Sequence, residues 1–170
     1  MEKVTLFFCD IYGTFDNGNK FKVDDFQIKR FIENLNKIML YNQTEKIIFT
    51  FVTTEDFKSV KSMDDKIKPY IENSNICVGE HIYYDGITNV NKACDIIAYV
   101  KELQKKYIID SKVYYADDCN LYHYFLEELK KLFDFNYDIE SIIPNDNGLY
   151  DVNEKLEKTF IKNNISRKTM

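Results

Sequence analysis

Five polar residues follow apolar segments or open a helical one, where they can act together chemically. Asp10 follows the run "VTLFFC", Thr53 follows "IIFTFV", Lys92 begins an amphipathic stretch, and Asp117 and Asp118 follow "KVYYA". A carboxylate at the tip of a buried strand can serve as a nucleophile or as a metal ligand. A hydroxyl and an ammonium group beside it can bind the oxygens of an anion. The set therefore indicates chemistry on a negatively charged group.

Gly13 and Thr14 turn the chain just after Asp10. Glycine lets the backbone bend sharply and approach a ligand closely, and exposed amides of a turn can bind a phosphate. We therefore assign Gly13 and Thr14 to a phosphate-binding loop. Aspartate is also common in turns, so a capping role for Asp10 is the alternative.

Thr53, Thr54 and Lys92 are candidates for binding phosphate oxygens, and each has a structural alternative. Thr53 directly follows the apolar run and is preferred over Thr54, although either can cap a helix that starts there. Lys92 opens a helix, where a cation is unfavourable unless an anion lies near it. Its alternative is a solvated surface lysine.

Asp117 and Asp118 form an acid pair at the end of a strand. Together with Asp10 they offer the oxygen ligands that Mg²⁺ prefers. The alternative is a capping pair for a helix that begins near Asn120. Two adjacent acids exceed what capping requires, so the sequence favours a Mg²⁺ site.

These residues need a scaffold that brings strand ends together, and the hydrophobic pattern predicts one. Short apolar runs typical of buried strands alternate with segments of helical periodicity. We expect strands over 4–9, 47–52, 76–78, 112–116 and 140–143, and helices over 24–39, 53–72, 92–107, 120–133 and 149–160. This alternation predicts a three-layer, Rossmann-like α/β fold with a mainly parallel five-stranded sheet and helices on both faces. Ligands bind such sheets beyond the carboxyl ends of the strands.

The spacing of the elements predicts a single domain over residues 1–170 without a large cap domain. One helix fills the interval between Asp10 and Thr53, and the interval from Thr53 to Lys92 is of similar length. Asp85-Gly86 predicts a hairpin, so residues 80–90 are expected to form at most a small flap. The polar tail over 162–170 is expected to fray.

Composition limits the classes of function. The chain has 170 residues, a net charge of −5 and 45% hydrophobic residues, which predicts a folded protein with no overall attraction to nucleic acid. No run of 18 apolar residues predicts a membrane span, and no signal segment is recognised. The four cysteines are scattered without a CxxC spacing, which is typical of reduced thiols. We expect a cytoplasmic protein, and a homo-oligomer stays open.

The order of these motifs resembles that of the haloacid dehalogenase-like superfamily of phosphatases and phosphotransferases. "CDIYGTF" is similar to the family's first motif, in which an Asp ending an apolar strand is followed by x-x-Gly-Thr. "IIFTFVTT", "NVNKACDII" and "VYYADD" are similar to its second, third and fourth motifs. The likeness extends from Val4 to about Asn120, and the last strand and helix fit the same fold.

The resemblance implies a reaction and a set of ligands. Asp10 would attack a phosphoryl group and form an aspartyl-phosphate, while Thr53 and Lys92 would hold the phosphate oxygens. The substrate would be a phosphorylated molecule, small or macromolecular. The metal ligands implied are Asp10, the backbone carbonyl of Tyr12, and Asp117 or Asp118.

Three positions depart from the family pattern. Phosphatases of the family usually carry a second Asp at the place of Tyr12, as general acid and then base, and loss of such a group costs about 10²–10⁴-fold in rate. Tyrosine, with a pKa of about 10, can donate a proton but is a poor base at neutral pH. Ala116 and Leu121 stand where the family often has a Gly and a further acid.

Three hypotheses follow for the function. The first is a Mg²⁺-dependent phosphatase or phosphotransferase, slowed by Tyr12. The second is a catalytically inactive member that serves as a binding or regulatory module. The third is a carbon–halogen hydrolase, because dehalogenases of the family carry Tyr at the same place. The acid pair Asp117 and Asp118 and the absence of a helical cap insertion argue against the third.

Overall fold

Parallel strands form the central layer of the protein, for which a computed structural model describes residues 1–16, 23–86 and 90–169. The strands are β1 (Lys3–Cys9), β2 (Lys46–Phe51), β3 (Ile76–Val78), β4 (Ile108–Ile109), β5 (Lys112–Ala116) and β6 (Asp138–Ile142). Their order is β3-β2-β1-β5-β6, and β4 pairs with the start of β1. Because all these pairings are parallel, the carboxyl ends of the strands meet at one edge.

Helices cover both faces of the sheet. They are α1 (Asp25–Asn42), α2 (Phe57–Ile71), α3 (Lys92–Leu103), α4 (Asn120–Leu132) and α5 (Leu149–Thr169). Helices α1, α2 and α5 share one hydrophobic cluster with the sheet, and α3 and α4 share the other. Strands buried on both faces explain why β1 and β2 are apolar almost throughout. The predicted three-layer, Rossmann-like α/β fold is therefore confirmed.

Side-chain caps set the starts of three helices. Asp24 accepts a hydrogen bond from the amide of Phe26, and Asp56 accepts one from the amide of Ser59. Asn91 does the same for α3, immediately before Lys92. The predicted start of α2 at Thr53 was therefore wrong, because Asp56 is the residue that satisfies its free amides.

Five phenylalanines build the core on the α1 face. The ring of Phe31 on α1 lies 5.4 Å from Phe7 and 5.7 Å from Phe49, in edge-to-face geometry. Phe15, in the loop after β1, lies 5.8 Å from Phe31 and 5.2 Å from Phe51. Such pairs add stabilisation beyond the burial of their surface. The loop that follows Asp10 is thereby fixed to the core.

His81 closes the edge of β2 beyond the end of β3. Its Nδ1 accepts a hydrogen bond of 2.9 Å from the amide of Phe51, where a longer neighbouring strand would offer a carbonyl. Its Nε2 therefore carries the proton and donates to Asp64 at 2.7 Å. The amide of Ile82 in turn donates to the carbonyl of Phe51, so the edge continues without a regular strand.

The structure also corrects the number of strands and the length of the last helix. The sheet has a sixth strand, β4. Two residues lie between Val4 and Phe7 on β1 but four lie between their partners Ile109 and Tyr114, so the pairing with β1 is interrupted between β4 and β5. A strand of two residues, such as β4, is too short to show an alternating pattern in the sequence. The last helix continues to Thr169, because neither Pro nor Gly follows the last apolar residues to stop it.

The predicted flap and hairpin lie partly on described residues and partly outside them. Residues 87–89 lie outside the described residues. Before them, Ile82 makes an isolated parallel bridge to Val52, and Asp85-Gly86 forms a turn in which Gly86 has φ 73°. Along the described parts of the chain, none of the helices is long and apolar enough to cross a membrane.

Replacing Phe31 tests the aromatic core. Phe31 is buried and Phe26, on the same helix, is 67% exposed. We expect Phe31→Ala to lower the free energy of unfolding by about 3–5 kcal/mol, because it leaves a cavity beside the rings of Phe7, Phe15 and Phe49. Phe26→Ala should change it by less than about 0.5 kcal/mol. Urea unfolding measures both, and equal losses would contradict the assignment of Phe31 to the core.

Candidate active site

Asp10 lies at the carboxyl end of β1, between the ends of two neighbouring strands. Its amide donates to the carbonyl of Ala116 at 2.9 Å, and the amide of Val52 donates to the carbonyl of Cys9 at 2.9 Å. Only 5% of Asp10 is exposed. The pairing on both sides therefore holds this carboxylate rigidly at the centre of the sheet edge.

A tight loop follows Asp10 and requires a glycine. The loop closes with a hydrogen bond of 3.0 Å from the amide of Asp16 to the carbonyl of Ile11. Gly13 has φ 78°, in the region that favours glycine. A Cβ at Gly13 would lie 2.4 Å from Oδ2 of Asp118, so a larger residue would collide with this acid. The amide of Gly13 donates to Asp16, so binding a phosphate with that amide requires this bond to be exchanged.

Lys92 is buried and contacts two carboxylates. Its Nζ donates to Oδ1 of Asp10 at 3.1 Å and to Oδ2 of Asp117 at 2.8 Å. The ring of Tyr122 lies 4.6 Å from the same nitrogen, in cation–π geometry. Only 2% of the lysine is exposed, so the alternative of a solvated surface lysine is wrong. The start of α3 therefore delivers a cation to the end of β1.

Asp117 is fully buried and held by several donors. The hydroxyl of Tyr115 donates to Oδ2 at 2.6 Å, and the amide of Cys119 donates to Oδ1 at 2.9 Å. The Nε2 of His123 donates to the backbone carbonyl of Asp117 at 2.8 Å, since that carbonyl can only accept. Burial lowers the pKa of His123, which favours the neutral ring. The capping alternative is not supported, because the Cys119 bond precedes α4 and the start of α4 has no side-chain cap hydrogen bond.

Three acids converge at this edge of the sheet. One carboxylate oxygen from each of Asp10, Asp117 and Asp118 lies within 4.8 Å of the others. Asp118 is the exposed member, and its amide donates to Oγ1 of Thr14 at 3.0 Å. An all-oxygen set of this kind suits a hard cation such as Mg²⁺. The donor chemistry and the Gly13 cradle therefore fit the predicted metal.

The charges of the cluster are unbalanced, with three carboxylates facing one lysine. Burial and the neighbouring Asp117 raise the pKa of Asp10 to about 8, against the opposing effect of Lys92. Burial, followed by Asp117, also raises the pKa of Asp118. Burial lowers the pKa of Lys92, but Asp10 and Asp117 outweigh it and the net shift is upward. The cluster thus favours added positive charge.

The threonines divide between the cluster and its surroundings. Thr14 lies in the cluster, with Oγ1 3.5 Å from Oδ2 of Asp10. Thr53 is fully buried at the end of β2, and its Oγ1 accepts a hydrogen bond from the amide of Glu55. Thr54 is exposed. The structure thus brings Thr14 to Asp10 and gives Thr53 a role in the turn, while phosphate binding by Thr53 and Thr54 stays a prediction.

Tyr12 lies at the mouth of the loop, two residues after Asp10. Its φ of −68° and ψ of 123° are extended, and the residue is 52% exposed. A phenol in this position can reach solvent or a ligand. Its role as proton donor stays a prediction.

Sequence reasoning missed three side chains that support the cluster: Tyr115, Tyr122 and His123. Tyr115 precedes Asp117 by two residues in extended backbone, a spacing that places two side chains on the same face and could have revealed the pair. The contacts of Tyr122 and His123 depend on how α4 crosses the sheet, and no spacing in the sequence reports that.

Comparisons with known proteins leave the resemblance as a prediction. No protein-family model matches the chain, no curated protein matches it, and no solved structure matches it. The function must therefore be argued from the geometry of the cluster.

Asp10→Asn should stabilise the protein when no metal is present. A raised pKa means that ionised Asp10 costs folding free energy; the cost is absent below the ordinary pKa of about 4 and grows as pH rises towards 8. We expect Asp10→Asn to raise the free energy of unfolding by about 1–4 kcal/mol near pH 7.5 with chelator present, and by much less near pH 4.5.

Thermal and urea unfolding across this pH range measure the difference. Asp65→Asn, at an exposed position of α2, is the matched control and should show no such trend. A destabilised Asp10→Asn protein at the higher pH would contradict the description of the cluster.

Proposed function

We propose that the protein is a Mg²⁺-dependent phosphatase or phosphotransferase that uses Asp10 as its nucleophile. The contact of buried Lys92 with Asp10, at 3.1 Å beside the exposed Asp118, supports this proposal most. A lysine that contacts the nucleophile can also contact the group transferred to it. Burial strengthens this electrostatic interaction relative to the same pair in water.

The reaction divides into two displacements. An oxygen of Asp10 attacks the phosphorus of a phosphate monoester, a P–O bond forms to the carboxylate, and the bond to the leaving oxygen breaks. The leaving oxygen takes a proton. Water, or an acceptor hydroxyl in a phosphotransferase, then attacks the aspartyl-phosphate and loses its proton, and the Asp10 carboxylate is restored.

The residues of the cluster have distinct roles in this scheme. Lys92 stabilises negative charge on the transferred group, and Thr14 orients Asp10. Mg²⁺, when bound by Asp10, the carbonyl of Tyr12 and an acid of the pair, supplies charge that neutralises the phosphate oxygens. The Asp10 carboxylate must be ionised to attack, so positive charge near it promotes the reactive form.

Tyr12 limits the expected rate. Its phenol can donate a proton to the leaving oxygen, but a tyrosine side chain is a poor base for the attacking water. Hydrolysis of the aspartyl-phosphate would therefore be the slow step. The same observation supports the second candidate, a binding or regulatory module that keeps the fold without turnover.

The surroundings suggest which substrates and partners suit the site. Among the described residues between β1 and β2, α1 is the only α-helix, which leaves room for bulky phosphorylated molecules or a partner chain as substrates. The net charge of −5 does not favour nucleic acid. We propose a phosphorylated substrate, small or macromolecular, and a cytoplasmic location. A homo-oligomeric state is compatible with this proposal.

Release of phosphate from an aryl phosphate tests the reaction. We expect Mg²⁺-dependent turnover that Asp10→Asn abolishes, because an amide cannot form the acyl-phosphate. Asp65→Asn should retain the native rate. Absence of turnover with a library of phosphate esters, at high protein concentration with Mg²⁺, would favour the binding module.

Tyr12→Asp tests the missing acid and base. If the cluster is otherwise competent, this change should raise turnover by about tenfold or more, because general acid–base catalysis contributes about 10²–10⁴-fold. Tyr12→Phe is the control, and its rate should not exceed that of the native protein. Equal rates for Tyr12→Asp and the native protein would count against a phosphatase geometry.

A further inference from the structure

Helix α4 carries large apolar side chains on two of its faces. Its inner face packs into the core through Leu126, which is fully buried. A surface helix usually presents polar residues on the opposite face. Packing within one chain therefore does not account for the outer face of α4, where four large apolar side chains are 41–76% exposed: Leu121, Tyr124, Phe125 and Leu132.

These four residues form one continuous row, named the α4 row below. Leu121, Phe125 and Leu132 are separated by four and seven residues, a spacing that keeps side chains on one face of an α-helix. The ring of Tyr124 flanks the row and lies 6.0 Å from that of Phe125. At a rise of about 1.5 Å per residue, the α4 row is about 16 Å long.

Elsewhere on the described helices, exposed apolar side chains are more isolated. Phe26 and Leu40 lie near opposite ends of α1, and Phe57 stands at the start of α2 without a second such residue on that helix. Single exposed apolar residues are normal on a protein surface, whereas a contiguous patch marks a site of interaction. The α4 row is such a patch.

The area of the α4 row matches the apolar centre of a dimer interface. At their exposed fractions, two aromatic and two leucine side chains present about 400–500 Å² to solvent. A stable interface buries about 800 Å² on each partner, and its fully buried centre is about two-thirds apolar. The polar residues that border the row can supply the remaining area.

The charges around the α4 row favour a second copy of this chain as the occupant. Two acids and two lysines border the row, so their charges cancel, and they are paired at 3.2 and 3.4 Å within the helix. The whole chain has a net charge of −5, so two copies repel each other least where their surfaces are neutral. A strongly basic or acidic partner would find no excess charge to pair with here. The four residues are Glu127, Glu128, Lys130 and Lys131.

Two copies of α4 are complementary when they run antiparallel about a two-fold axis. Such a contact uses the same surface twice, so a residue near one end of the row must fit a residue near the other end. With the axis at the middle of the helix, Leu121 of one copy faces Leu132 of the other. Glu128 enters the interface already paired with Lys131 of its own chain, so no unpaired charge is buried.

We propose that two copies of this chain associate through their α4 rows, in antiparallel orientation, to form a dimer with two-fold symmetry. The proposal does not rest on the proposed function, because the α4 row contains none of the residues assigned to the reaction.

Sedimentation equilibrium over a range of protein concentrations tests the dimer. We expect the native protein to approach twice the chain mass of 20.3 kDa. Phe125→Glu should raise the dissociation constant of the dimer by about 30-fold or more, because it places an unpaired charge in the buried centre. Phe26→Glu, at an exposed position of α1, is the matched control and should keep the native constant.

Leu121→Glu and Leu132→Lys test the antiparallel orientation. Each variant alone should weaken self-association, because each places a charge opposite a leucine of the other copy. A mixture of the two proteins should associate about tenfold or more tightly than either alone, since the introduced acid then faces the introduced lysine. Both positions are exposed, so these variants decide the question if Phe125→Glu does not fold.

Three results would overturn the proposal. The first is a native protein that stays monomeric at every concentration, which would leave the α4 row to a different protein. The second is a native dimer that Phe125→Glu and Leu132→Lys leave unchanged, because its contact would then lie elsewhere. The third is a mixture of Leu121→Glu and Leu132→Lys that associates no better than its components.

Discussion

Lys92 must keep an ammonium charge where solvent scarcely reaches, and the arrangement of the sheet edge depends on this constraint. A buried charge is tolerated only when it is paired and hydrogen-bonded. Asp10 and Asp117 supply the pairing from the ends of β1 and β5, at 3.1 and 2.8 Å. Both acids are in turn difficult to bury without the lysine. Lys92 and Asp117 therefore depend on each other most directly, and their contacts place the start of α3 at the ends of β1 and β5.

The side chains and backbone of the cluster are also held in position without a ligand. The Phe15 ring anchors the loop after Asp10 in the aromatic core, and Thr14 ties that loop to the backbone of Asp118. Positioning groups in advance lowers the reorganisation needed when charge develops during a reaction. The raised pKa of Asp10 indicates that three acids beside one lysine are electrostatically unfavourable. The packing of the rest of the fold must offset this electrostatic cost.

Much of the fold could be predicted from the sequence, because long apolar runs and helical periodicity report burial directly. Strands β1, β2 and β5 and the five helices follow from such patterns, whereas β4 is too short to show one. The grouping of Asp10, Lys92 and the acid pair could also be predicted, since parallel strands end at a common edge. The burial of Lys92 and its contact with Tyr122 could not, because they depend on the packing of α3 against α4. The role of Thr53 could not be predicted either, because a threonine hydroxyl can bind an anion or accept a hydrogen bond within a turn.

His81 has a consequence for how this protein meets other chains. A sheet edge normally exposes amides that a foreign strand can pair with, which is a route to aggregation. At the end of β2 the amide of Phe51 is already engaged by the imidazole, and Asp64 holds the ring from the other side. A side chain thus occupies the place that an intruding strand would need. The amide of Phe51 is therefore not available to pair with another chain at this point of the sheet.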